Sequence, residues 1–332
     1  MLRSIAGTTD RRIDRLLSLL MDHATVVVSG AKVAREIGVT RWTVWRWMEK
    51  LRSLGVRVKG HPMKGYQLER MPDILVPGQL QKHLRGTGLG KRIHHFFKID
   101  STNTVAMNLG AQDEPHGSIV LAEEQTAGRG RVGRSWYSEK SSGIYVSVLL
   151  RPEISPVQAP VLTLLSGLAV HEAVRETTGM QPDIRWPNDL LLQGKKFCGI
   201  LTEMNAEPDR VHFVVVGIGV DVNHAQMPDE LVAIAASLRM LTGKSYSRLE
   251  LLARLLRCLD RYYNQFLEQG PQAIIDRWRA ASSYCEGKRV KIVAATETYT
   301  GRTAGLDASG LLRIITDDGR VQTVLSGDVR EI

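Results

Sequence analysis

The sequence predicts a multidomain α+β chain in three parts: an N-terminal winged helix-turn-helix, a central mixed β-sheet with helices, and a small β-rich C-terminal domain. Three observations carry this. First, 332 residues at 43% hydrophobic content are enough for two or three domains with real cores. Second, the positive charge is lopsided: residues 1–70 hold 14 Lys/Arg against 6 Asp/Glu, whereas residues 71–332 hold 30 against 29. Third, the texture changes twice, at a Pro/Gly-rich stretch and again beyond Cys285, where short alternating runs punctuated by glycine begin. The boundaries fall at residues 1–70, 71–90 (a connector), 91–284 and 285–332.

In the first part, Thr9 is placed to cap a helix over residues 10–23, with Ile13, Leu16, Leu17 and Leu20 at helical spacing. Ser29 caps a short helix carrying Val33, Ala34 and Ile37, which Gly38 stops. Thr40 caps a third helix over residues 41–54, closed by Gly55. The tight Gly38-Val39-Thr40 connection is the helix-turn-helix pattern. On the third helix Val44, Trp47, Met48, Leu51 and Leu54 form the apolar face. Arg41, Thr43, Trp45, Arg46 and Lys50 lie largely elsewhere, leaving a basic face for a DNA major groove. Residues 56–59 and 65–68 alternate as two strands around the basic turn Gly60-His61-Pro62-Met63-Lys64, a wing that offers Lys59 and Lys64. Trp47 is expected in the core and Trp42 packed against neighbouring helices, while Trp45 is open between packing and contact with bases or sugar. Nucleic acid is the expected partner of this module.

In the connector, Pro77 starts a short helix. The central part then reads as a strand at 93–99, a helix at 104–109 capped by Asp100-Ser101-Thr102-Asn103, and strands at 117–123 and 143–150. A long helix follows at 157–177, then a short strand ending in a turn at Pro187-Asn188-Asp189. Strands at 190–192, 196–203 and 210–222 and helical stretches at 227–240 and 247–283 complete a mixed sheet covered by helices on one side. Short strands at 289–294, 297–306, 311–316 and 321–325 predict a small C-terminal β-barrel or sandwich packed on the second domain.

Composition also excludes classes of function. Cys198, Cys258 and Cys285 are odd in number and far apart, which fits a reducing, cytoplasmic compartment without a disulfide framework. No window of eighteen apolar residues and no signal peptide is evident, so no membrane partner is expected. No Ser or Cys nucleophile constellation occurs, Cys198 reads as a small core residue, and His94-His95 lack companions at metal-ligand spacing.

The stretch richest in chemistry is Gln125-Thr126-Ala127-Gly128-Arg129-Gly130-Arg131-Val132-Gly133-Arg134-Ser135-Trp136. Arginine forks suit carboxylate and phosphate, and glycine lets a ligand approach the main chain, so the loop is expected to fold around an anion. With Asp100-Ser101-Thr102-Asn103, Arg185-Trp186-Pro187-Asn188-Asp189, Lys196-Phe197-Cys198-Gly199-Ile200-Leu201-Thr202-Glu203 and Gly217-Ile218-Gly219-Val220-Asp221-Val222-Asn223, it resembles the bacterial bifunctional biotin protein ligase/biotin operon repressors over nearly the whole chain.

That resemblance implies a class II synthetase-like biotin/lipoate ligase domain and an SH3-like C-terminal β-barrel. It implies activation of biotin with ATP and Mg2+ to biotinyl-5′-adenylate, then transfer to a lysine of the biotin carboxyl carrier domain of acetyl-CoA carboxylase. It further implies a ligand-promoted homodimer that represses biotin genes at a biotin operator. Lys196 and Arg131 take catalytic roles by resemblance, and Asp189 is the carboxylate expected to act on Mg2+–ATP or on the incoming lysine amine, which it could position and relieve of a proton. By the same resemblance Ser101, Thr102, Asn103, Gln125, Arg129, Gly130, Arg131, Lys196, Gly217 and Gly219 are expected to surround biotin. Gly128 through Arg131, Gly133, Arg134 and Trp136 form the adenylate loop, and Mg2+ arrives with ATP near Asp189. Val132 departs from the arginine of the best-known members and is expected to have no glycine-like role. The alternatives are a lipoate-type ligase, a ligase with a vestigial DNA module, and a non-catalytic DNA-binding sensor.

Overall fold

The computed structural model describes residues 8–53, 55–61, 63–294 and 297–332. Leu54 and Pro62, expected on the third helix and in the wing turn, lie outside the described residues. The N-terminal module contains α1 (Thr8–Asp22), α2 (Gly30–Ile37), α3 (Arg41–Ser53), β1 (Arg57–His61) and β2 (Gly65–Arg70). Thr9 lies inside α1 and not ahead of it. The other helix signals act as expected: Ser29 Oγ accepts from Lys32 N–H at 3.1 Å, and Thr40 Oγ1 accepts from Thr43 N–H at 3.2 Å. Gly38 ends α2 at φ 74°. The wing strands pair antiparallel through Gly60↔Tyr66 and His61↔Gly65, so the turn is tighter than the sequence suggested.

Ile13, Leu16, Leu17, Leu20, Val33, Val44, Trp47, Met48 and Leu51 form the core of this module. Trp42 departs from expectation: it is 62% exposed instead of packed. With positions 44, 47, 48 and 51 turned inward, the helical period puts 42 on the opposite stripe with 45 and 46. Residues 71–90 include α4 (Pro77–His83) and join two cores. Ile74 and Val76 are buried in the N-terminal core, while Leu75, Leu80, Leu84 and Leu89 are buried in the central one.

The central domain runs β3 (Ile93–Phe96), α5 (Thr102–Gly110), β4 (Ile119–Ala122), β5 (Gly143–Leu150), α6 (Pro160–Thr178), β6 (Asp183–Arg185), β7 (Asp189–Leu192), β8 (Lys195–Ala206), β9 (Val211–Asp221), α7 (Leu238–Thr242), α8 (Arg248–Gln269) and α9 (Pro271–Ala281). Its sheet has the order β3-β4-β5-β9-β8-β7-β6; β3 and β4 are parallel and the other pairs antiparallel. α6, α8 and α9 cover one face. Contrary to the expectation of helices on one side only, the other face is covered too: Val105 and Ala106 of α5 pack there on Val120, Leu149, Phe213 and Val215. Cover on both sides explains why every residue of β5 is buried. The stretch Pro156–Thr178 is apolar enough to cross a membrane by length and composition, yet 72% of its apolar window is buried as a core helix.

Two further expectations fail. Residues 227–237 form turns, and helix starts only at Leu238. Their backbone is drawn to the start of β8: Lys196 N–H donates to Ile234 O at 2.9 Å, and Ala236 N–H to Lys196 O at 3.0 Å. The C-terminal domain comprises β10 (Glu286–Val293), β11 (Thr298–Leu306), β12 (Leu312–Thr316), β13 (Val321–Val324) and an unforeseen β14 (Asp328–Glu331). They make an open sheet, β13-β12-β11-β10-β14, and no closed barrel forms among the described residues. Its apolar residues Val290, Ile292, Leu312, Ile314 and Val329 join the central core, so closure is not needed to bury them. Trp186 Nε1–H donates to Gly310 O at 3.1 Å across this junction.

Candidate active site

At the middle of the sheet, β8 and β9 pair through Gly199↔Gly219 and Leu201↔Gly217. A Cβ at Gly217 would stand 2.0 Å from Asn103 Oδ1, and one at Gly219 would stand 2.5 Å from the Trp136 indole. These two glycines therefore open the sheet surface for side chains from α5 and from the Gly/Arg loop. The resulting cavity has a free volume of about 100 Å³.

One end is neutral and polar. Ser101 caps α5 and also lines the cavity, so its two readings coexist. Gln125 Oε1 accepts from Thr102 N–H at 2.8 Å and from Thr102 Oγ1–H at 3.1 Å, while Gln125 Nε2–H donates to Ser138 Oγ at 2.9 Å. Ser147 Oγ lies 2.8 Å from Thr102 Oγ1 and 2.6 Å from Asn103 Oδ1. Hydroxyls and amides in a fixed network recognise a ligand that is polar without net charge.

The other end is cationic. Arg129 grips Glu203 with its two terminal guanidinium nitrogens, at 2.8 and 3.2 Å, and Asn103 Nδ2–H donates to the same carboxylate at 2.9 Å. Arg131 donates to Asn188 Oδ1 at 3.1 Å, and Arg134 pairs with Asp328 from the C-terminal domain. Lys196 Nζ lies 2.6 Å from Asp189 Oδ1, whose Oδ2 takes Arg185 at 2.8 Å. Burial alone would raise the Asp189 carboxyl, but Lys196 and Arg185 outweigh it and hold the group below its usual range. The Trp136 indole stands against Gly199 and Gly219, with Lys196 Nζ 5.4 Å from its ring.

The loop is a folded ribbon. Gly130 N–H donates to Arg134 O at 2.7 Å and Trp136 N–H to Gly128 O at 2.8 Å. Val132 corrects the sequence reading: at φ 54° it occupies the left-handed region that glycine favours, just before Gly133 at φ 71°. Gly128 and Gly133 shape the loop, whereas Arg129, Gly130, Arg131, Arg134 and Trp136 line the cavity. Ser101, Thr102, Asn103, Gln125, Asp189, Lys196, Gly217 and Gly219 line it as well.

Sequence reasoning assigned no role to Asn188, Glu203 or Asp328. Asn188 and Glu203 stood inside quoted motifs, whereas Asp328 lies 194 positions from its partner Arg134 with no local signal. Cys198 is buried in the core, with its thiol pushed well up by desolvation. His94 pairs with Glu114 and His95 with Asp14 and Glu123.

Of the DNA-facing candidates, Arg41, Trp45, Arg46, Lys59 and Lys64 are exposed, and Thr43 and Lys50 are half-buried.

Comparison with known proteins agrees with this geometry. Residues 96–221 match the biotin/lipoate A/B protein ligase family, residues 12–67 an HTH domain, and residues 287–330 the biotin protein ligase C-terminal domain. The bifunctional ligase/repressor BirA of Bacillus subtilis is 36% identical over 95% of this chain and 97% of its own length. That of Escherichia coli K12 is 28% identical over 91% and 92%. The solved biotin protein ligase from Aquifex aeolicus in complex with biotin and ATP superposes with TM-score 0.64 at 31% identity, covering 73% of this chain and 100% of that one. The chain belongs to the bacterial bifunctional biotin ligase/repressor family.

Proposed function

We propose that this cavity joins biotin to ATP and passes the activated acid to a protein lysine, while the N-terminal module represses transcription by binding DNA. The observation that carries the ligase reading is the division of one cavity into a neutral polar end and a cationic end. Biotin's ureido ring would bind among Ser101, Thr102, Asn103 and Gln125, its bicycle against the Gly217 and Gly219 backbone, and its carboxylate toward Arg129, Gly130, Arg131 and Lys196. The carboxylate oxygen attacks the α-phosphorus of ATP and pyrophosphate leaves. Two anions must meet for that, and the Arg131 and Lys196 cations offset their repulsion and the charge that develops. The loop from Gly128 to Trp136 then covers the labile mixed anhydride and keeps water away.

In the second step the lysine amine attacks the acyl carbon, AMP leaves, and the amine's proton must go to a base. Asp189, held ionised below its usual range by Lys196 and Arg185, is a weak base, so it orients that amine by charge while the proton goes to the departing AMP phosphate or to water. Both of its oxygens are already engaged by Lys196 and Arg185, so Mg2+ entering with ATP would be held chiefly by phosphate oxygens and water. The carrier domain of acetyl-CoA carboxylase is the proposed acceptor. A ligand-promoted homodimer on a two-fold biotin operator is the proposed repressing form, with Arg41, Thr43, Trp45, Arg46, Lys50, Lys59 and Lys64 toward the DNA.

ATP–pyrophosphate exchange tests the activity: biotin should support it. Exchange with lipoate but not biotin would transfer the assignment to a lipoate-type ligase. No exchange with either would leave a DNA-binding sensor.

A further inference from the structure

The outward stripe of α3 carries more apolar surface than a solvated helix face needs. Trp42 is 62% exposed and Trp45 51%, one turn apart. Large exposed aromatics on a folded domain are informative where smaller apolar residues are not. The two are not equivalent. The Arg46 guanidinium lies 5.0 Å from the Trp42 ring and braces it. Trp45 has no ring or cation contact of this kind among the described residues.

Charge identifies the occupant of this face. Arg41 and Arg46 are exposed on the same helix, Lys59 and Lys64 are exposed on the wing, and residues 1–70 carry 14 Lys/Arg against 6 Asp/Glu. The partner is therefore a polyanion that also shows something apolar to an indole. In the major groove the distinguishing apolar feature of a base edge is the thymine 5-methyl group. An indole offers one N–H donor and no acceptor, so it cannot make the bidentate pairs that read guanine or adenine.

We propose that Trp45 is a specificity-determining residue of the DNA module, reading thymine by packing its exposed indole against the 5-methyl group. This rests on the DNA-binding reading above and adds to it the base recognised and the residue that recognises it. Arg41 and Arg46 supply phosphate attraction, which carries no sequence information.

The test is a cycle across the interface. The full chain, with biotin and ATP present, selects duplexes from a random pool. In the selected site each thymine is then replaced singly by deoxyuridine, which removes only the methyl group. For the wild type, at least one replacement should weaken binding about four-fold, equivalent to the roughly 0.8 kcal/mol of one buried methyl-sized group. The same replacement should have no effect on Trp45→Ala and a retained effect on Trp45→Phe, each variant first shown to melt at the wild-type temperature. Methyl dependence absent from the wild type, or undiminished in Trp45→Ala, overturns the assignment to Trp45 while leaving sequence-specific binding intact. Failure to select any sequence overturns the DNA-binding reading itself and this proposal with it.

Discussion

Lys196 Nζ stands 2.6 Å from Asp189 Oδ1, and Arg185 holds the opposite oxygen of that carboxylate at 2.8 Å. The pair sits where β7 begins beside β8, so backbone pairing fixes the separation of the two side chains. A carboxylate between two cations stays ionised, which suits it to orient an incoming amine through its N–H groups and makes it a weak base.

Replacing Asp189 by Asn should therefore damage transfer more than activation. Single-turnover biotinylation of a carrier domain should fall on the order of 10²-fold, the loss expected when a reacting group is misplaced, with a smaller loss in pyrophosphate exchange. Equal losses in both steps would give Asp189 only the task of placing Lys196.

Glu203 neutralises Arg129 before any ligand arrives, and a bound carboxylate would compete for the same guanidinium. The pair is partly exposed, so it is worth about 0–1 kcal/mol. Glu203→Gln should tighten biotin binding by up to about five-fold in calorimetric titration. Weaker binding would mean that Glu203 shapes the pocket through Asn103 rather than masking Arg129.

The two domains share a buried chain of charges. Asp14 of α1 lies 2.9 Å from His95, which lies 3.3 Å from Glu123, and Glu123 is held in turn by Arg248 at 2.7 Å. Leu75 N–H and Ser141 Oγ–H also donate to Glu123. Burial would lower the His95 pKa, but Asp14 and Glu123 outweigh it and raise it to about 10. Burial would raise Glu123, but Arg248 and His95 outweigh it and lower it to about 2. The His95 contribution is thus complete below its ordinary value of 6.5 and is lost as pH climbs through about 10. The Glu123 contribution is complete above 4.5 and is lost as pH falls toward about 2. Differential scanning calorimetry should show Tm falling between pH 6.5 and 10, with a shallower fall in His95→Gln. Asp14→Ala leaves the imidazolium short of one buried partner and should cost about 3–5 kcal/mol near neutral pH. A parallel pH profile in His95→Gln would refute the chain's role.

Val132 is 83% exposed and sits in the left-handed region, so its side chain is strained without packing in return. Val132→Asn should raise stability by up to about 1 kcal/mol, read as a higher denaturant midpoint at unchanged slope. A lower midpoint would mean that the valine makes a contact worth more than its strain.

Much of this was legible residue by residue. The run 143–150 is apolar on both faces and became β5, and Ser29, Gly38 and Thr40 bound their helices by local hydrogen bonds and backbone angle. The residues expected around biotin also line one cavity, because each belongs to a motif at a strand or helix end. What stayed hidden depends on contacts remote in sequence. Asp328 reaches Arg134 only because β14 crosses to pair with β10. Residues 227–237 look helical, but their backbone bonds to Lys196 instead. The exposure of Trp42 follows from which stripe of α3 its neighbours bury, a competition that hydrophobicity alone decides wrongly.

The measurement that bears most directly on the ligase is ATP–pyrophosphate exchange on the purified chain, with biotin as the acid, for wild type and Lys196→Ala. Biotin-dependent exchange in the wild type, lost by more than 10²-fold in a Lys196→Ala protein that melts normally, is the expected result. Undiminished exchange without the lysine, or none in the wild type, would contradict the assignment of this cationic cavity to biotin activation.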